Sequence, residues 1–189
     1  MPIEQLFSIL RNHRNFEASW SQVLNILEEH TGRSLWQSLA QVPFDANILR
    51  MHQWLELQLA DIAAPTGVYL GLDTLNMDQG QGKNIDIGWT TCDTRLNQSD
   101  WIYGQLTHGE SVFLDGLYQL HQIYSLAQWQ SVYPIADYML FLGYSGLIVL
   151  EAIAQAQSPY SRLYTWGFHD GDMFLLARSH SGQTDIICQ

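Results

Sequence analysis

Chemistry-bearing side chains concentrate in two short stretches. The first, LDTLNMDQGQGKNIDI, carries Asp73, Asp78 and Asp86 around a glycine-rich centre. The second, WGFHDGDMFLLAR, sets His169, Asp170 and Asp172 around one glycine. Carboxylates in such numbers suit a hard cation such as Mg²⁺ or Ca²⁺, which is held by several oxygen ligands. Without a metal they form a negative surface that attracts a basic group from a partner. A turn centred near Gln79 places Asp73 and Asp86 close to opposite each other on the polar face of one hairpin. Like charges facing across a ladder destabilise the pair. A counter-charge is therefore expected there, from Lys83, solvent, a metal or a partner. Asp170-Gly171 is itself a hairpin signal, because a type I′ turn needs positive φ at both central positions. His169 and Asp172 then flank that turn, and a carboxylate beside the imidazole favours its charged form.

Each stricter motif fails at a particular residue. A phosphate-cradling P-loop needs a glycine five positions before its Gly-Lys pair and a Ser or Thr after it; Met77 and Asn84 stand there instead. GxGxxG is broken by Ile85, and an EF-hand begun at Asn76 has Ile87 in place of its bidentate Glu. Gly143 to Gly146 read GYSG, like the start of a hydrolase nucleophile elbow, but Leu147 occupies the final glycine position that provides clearance. Close packing accounts better for those two glycines. The seven histidines form neither HExxH nor a close pair, and Cys92 and Cys188 form no CxxC. His52 and His121 fall on or near apolar helix faces, as hydrogen-bonded boundary residues do. Trp101 lies in a less regular segment and is a candidate aromatic anchor for a partner. The expectation is no catalytic residue, no metal-ligand set and no cofactor.

The elements that must position these residues read as α+β. Residues 1–64 form a helical part. Ile3, Leu6, Phe7 and Leu10 recur at helical spacing, as do Phe16, Trp20, Val23, Leu24 and Leu27. Asp45 is a candidate cap for a further helix, with Phe44 stapled on Leu49, and Pro65-Thr66-Gly67 ends it. Residues 65–189 mix strands and helices within the same single domain. From Gly67 the period changes to two: Val68, Leu70 and Leu72, then Ile85, Ile87 and Trp89, mark a hairpin with one face toward a core. The loop at 76–84 is its polar tip. A helix is expected over about 111–127. Residues 136–146 stay open between a helix and a strand, with a helix favoured from about Leu147 to Ala156. The tail from Ser161 to Cys188 reads as a three-stranded meander with turns at Asp170-Gly171 and Ser181-Gly182. Antiparallel hairpins packed with helices are the expected architecture.

Charge narrows the function classes. Of nineteen acids and eight bases, fourteen acids and four bases follow position 50, so almost all of the net −11 belongs to that part. Such a field repels nucleic acid and favours a basic protein partner. The amino terminus lacks a signal-peptide pattern, and the apolar run from Tyr138 to Ile153 reads as too short and too polar for a bilayer span. With no cysteine framework, these features favour a cytoplasmic protein that engages no membrane.

From VYLGLDTLNMDQGQGKNIDIGW through LGYSGLIVLEAI to WGFHDGDMFLLAR, the chain resembles small bacterial α+β proteins similar to cytoplasmic immunity proteins. These accompany polymorphic or contact-delivered toxins. The resemblance implies a non-enzymatic role: binding a toxin and blocking its active site. It transfers no catalytic residue. Asp73, Asp78, Asp86, Trp101, His169, Asp170 and Asp172 are the expected partner-binding residues. A metal-dependent hydrolase using the five aspartates, and a structural subunit of a larger assembly, are the alternatives.

Overall fold

A computed structural model describes residues 2–31, 34–63, 66–73, 85–91, 106–126, 136–156, 158–168 and 173–189. Three α-helices lead: α1 (Pro2–Arg11), α2 (Phe16–Thr31) and, after a 3₁₀ helix (Ser34–Gln41), α3 (Asp45–Leu59). Strands β1 (Thr66–Leu72), β2 (Ile85–Thr91) and the short β3 (Thr107–His108) follow. Then come α4 (Asp115–Leu126), α5 (Ala136–Ala156) and strands β4 (Arg162–Phe168), β5 (Met173–His180) and β6 (Gln183–Ile186). The strands form one mixed sheet in the order β3-β2-β1-β4-β5-β6. The α+β class, the leading helices and the closing meander are as the sequence predicts.

Tertiary pairing changes the role of β1. It pairs antiparallel with β2 but parallel with β4, Thr66 opposite Arg162 through Leu72 opposite Phe168. A strand paired on both edges sits at the middle of a sheet, and every residue of β1 is buried. The expected half-exposed hairpin is therefore a central strand. Val68, Leu70, Ile87, Tyr164 and Trp166 belong to the main core with the helices. Thr165 and Tyr69, partners in register, alternate to the opposite face and are also buried.

Helix α5 is the spine of that core. Residues 136–146, left open by sequence, are helical throughout, which removes the strand reading up to Leu142. From Met139 through Leu150 all side chains are buried, because α1, α2, α3 and α4 pack around the helix while the sheet lies against it. Burial on all sides erases the amphipathic period that would have marked it as a helix. By length and apolarity it would suffice to cross a bilayer, contrary to the sequence expectation, yet 78% of that span is buried within the fold. Gly143 fits against Leu6 and Val23, and Gly146 against the Trp166 indole, where an added Cβ would lie 3.2 Å from the ring. Ser145 accepts a hydrogen bond from Trp166 Nε1 at 3.3 Å and is 1% exposed. GYSG is thus a close-packing element of α5 against α1, α2 and the sheet, not a nucleophile elbow.

The start of α3 also departs from expectation. Phe44 is the capping residue, and no side chain caps the helix. Phe44 stacks on Phe16 with centroids 4.4 Å apart, while Leu49, its expected staple partner, is 52% exposed. The second predicted turn is present: Ser181 and Gly182 have φ of 50° and 79°, the paired positive values of a type I′ turn.

Candidate functional site

Two places bear on the acidic character. The first is the end of the sheet where β1 and β4 finish side by side, with Leu72 in register with Phe168. Asp73, the residue after β1, lies at this end. Asp78, Trp101, His169, Asp170 and Asp172 lie outside the described residues. Asp73 and Asp86 are described, and their pairing differs from the expected one. Asp86 faces Gly71, and Asp73 falls one residue beyond the last paired position of β1. This register makes the two carboxylates diagonal rather than opposed. Diagonal neighbours in a ladder are roughly 7–8 Å apart, which relieves much of the like-charge cost.

The second surface is a groove of about 400 Å³ between α2, α3 and α5. Phe16, Phe44, Ile48 and Leu49 give it an apolar lining, and Glu17, Asp45 and Glu151 supply carboxylates. Neither Glu17 nor Asp45 has a basic partner among the described residues. Sequence reading missed this groove. It assigned the acidic surface to the second part of the chain, whereas Glu17 and Asp45 belong to the first fifty residues. Folding brings them beside Glu151 of α5.

Glu151 also closes a half-buried polar relay. Asn15 accepts from the Ala18 amide at 2.9 Å and so caps α2, which leaves His13 in the tight α1–α2 connection. His13 Nε2 lies 3.0 Å from Glu151 Oε1, and Nδ1 lies 2.9 Å from Ser19 Oγ. A carboxylate only accepts, so neutral His13 carries its proton on Nε2 and Nδ1 accepts from the serine hydroxyl. Serine, imidazole and carboxylate are therefore connected as in a hydrolase triad. Access decides against that chemistry: Ser19 is 3% exposed and does not line the groove. The relay instead ties the α1–α2 connection to α5. Burial lowers the His13 pKa, and the attraction of Glu151 offsets only part of that effect. One signal for it was present in sequence: from Tyr138 to Ala156, Glu151 is the lone ionised-type residue in an otherwise apolar helix. A charge there calls for a partner.

Among the described residues, no three His, Cys, Asp or Glu side chains gather closely enough to hold a metal. Cys188 is a buried free thiol whose pKa burial pushes up to about 12. His121 packs near Phe141 with ring centroids 6.1 Å apart, at the boundary of the core. Fold and grooves define a helical layer on a mixed six-stranded sheet, with a carboxylate-bearing groove among the helices. No protein-family model, curated protein or solved structure matches this chain.

Proposed function

We propose that this chain is a non-enzymatic binding protein for a basic protein partner, acting as an immunity protein that neutralises a toxin. The observation that supports this reading best is the groove: three carboxylates around an aromatic and aliphatic lining, with two of them lacking a basic partner among the described residues. Such a site takes a lysine or arginine side chain, with the aliphatic stem on Phe16, Phe44 and Leu49 and the charged head among the acids. The acidic sheet end around Asp73 and Asp86 serves as a second contact or as the steering field that speeds encounter.

The test is capture of a partner from the native host, followed by binding kinetics at increasing salt. Glu17→Gln with Asp45→Asn removes the groove charges, and Asp73→Asn with Asp86→Asn removes those at the sheet end. The groove pair should raise the dissociation rate, and the sheet-end pair should slow association and flatten its salt dependence. A partner whose affinity ignores both pairs and the salt concentration refutes the electrostatic reading.

A further inference from the structure

A second cavity, of about 290 Å³, lies on another side of α3, where the ends of α3 and α5 approach the start of β4. Leu55, Leu59, Ala60, Ala156, Pro159 and Tyr164 give it apolar walls, and Ser158, Tyr160 and two charged residues, Glu56 and Arg162, also line it. Arg162 is 6% exposed. Its Nη2 donates to the Leu59 carbonyl at 3.0 Å, and its Nε is buried without a partner. No carboxylate among the described residues pairs with it. A guanidinium stays charged at any working pH and offers five donors, so a buried one with a single acceptor among the described residues and an unpartnered Nε is an incomplete arrangement. The carbonyl end of α3 stabilises the cation in part.

The surroundings identify what would complete it. A simple anion would gain Arg162 but would meet Glu56 and the negative ends of two helices. A simple amine would gain those groups but would meet the guanidinium. A zwitterion satisfies both, with its carboxylate on Arg162 and its ammonium toward Glu56 and the helix-end carbonyls. The apolar walls then call for a hydrocarbon side chain. We infer that this cavity binds a free α-amino acid of the leucine type, independently of any protein partner held in the acidic groove.

The experiment uses the intact chain and three probes of matched hydrocarbon shape: leucine, 4-methylpentanoate, which lacks the amine, and 3-methylbutylamine, which lacks the carboxylate. Calorimetry and thermal unfolding should show saturable binding and stabilisation with leucine. Each truncated probe should bind at least about tenfold more weakly, the loss expected for one missing charged hydrogen bond. Glu56 is 57% exposed at its side chain and its one recorded ion pair is a 3.5 Å surface contact with His52, so Glu56→Gln should fold normally and lose leucine binding by a similar factor. Arg162→Lys, which keeps the charge but not the fork, should weaken it as well. Binding of 4-methylpentanoate as tight as that of leucine, unchanged leucine affinity in folded Glu56→Gln, or no binding of any probe overturns the inference.

Discussion

Replacing Glu151 by glutamine tests the His13 relay through both its size and its pH dependence. At pH 8 the wild-type contact is a hydrogen bond from neutral His13 to a carboxylate 3.0 Å away. A hydrogen bond to a charged group contributes about 1.5–3 kcal/mol, and a neutral one about 1 kcal/mol. The Glu151 side chain is 24% exposed, which favours the lower end for the charged bond. Glutamine keeps an acceptor, so Glu151→Gln should cost about 0.5–1 kcal/mol. Glu151→Ala strands the donor on an imidazole whose side chain is 8% exposed, and should cost about 2 kcal/mol. Acid adds a signed effect. The folded pKa of His13 lies below the unfolded value of about 6.5. Above the unfolded value both states are neutral there and the residue adds no pH dependence. As pH falls through about 6.5, the unfolded chain takes up the proton first, so the fold loses stability until the folded pKa is reached. Glu151 is the group that raises the folded value, so glutamine lowers it further and the loss on acidification grows. Urea unfolding at a series of pH values from 8 downward should therefore show the wild-type-to-Glu151→Gln gap widening as pH falls through the folded wild-type value of His13, which lies below about 6.5, at constant denaturant slope. A gap that stays constant or narrows in acid refutes the account, as does wild-type stability of Glu151→Ala at pH 8.

Gly116→Ala should destabilise by about 1–3 kcal/mol through overpacking, since the new Cβ would lie 2.6 Å from the Pro43 backbone oxygen and would crowd the Tyr144 hydroxyl that donates to it. The cost should shrink in a Tyr144→Phe background, a coupling that a double-mutant cycle measures directly. Gly182→Ala should cost about 1 kcal/mol in chemical unfolding, because φ is 79° there and the space around it is open, which leaves backbone strain as the cause. Cys188, with its thiol pushed up to about 12 and 2% exposed, should react with a disulfide reagent at pH 8 only as fast as the fold opens. Immediate reaction of Cys188 in the native state would contradict its burial.

Local chemistry was legible wherever neighbours in sequence decide the outcome. Helical spacing marked α1, α2 and α3, and Ser181-Gly182 announced its turn, because these depend on periods and dihedral preferences within a few residues. The change to a period of two at Gly67 located β1 and β2 correctly. It said nothing of the parallel partner β4, which arrives 96 positions later and converts an edge hairpin into the buried middle of the sheet. For residues 136–146 the pattern was silent in principle, since a helix buried on every side shows no amphipathic stripe. Asp45 illustrates the opposite failure: a good capping residue was displaced by one position because Phe44 stacks on Phe16.

The candidate sites divide in the same way. Sequence by itself determined that this is an α+β chain, that its acids outnumber its bases and that its motifs match no cofactor or metal pattern, because these follow from composition and from spacing along the chain. It also held an unused signal in Glu151, the lone carboxylate of an otherwise apolar run. Only the tertiary structure decided that His13 answers it, that Glu17, Asp45 and Glu151 share one groove, and that Arg162 and Glu56 line one cavity, with no carboxylate among the described residues paired to Arg162. Each of these sites joins residues more than a hundred positions apart. Their proximity arises from packing on α5 and from the β1–β4 pairing, whose energies depend on contacts that no local pattern records.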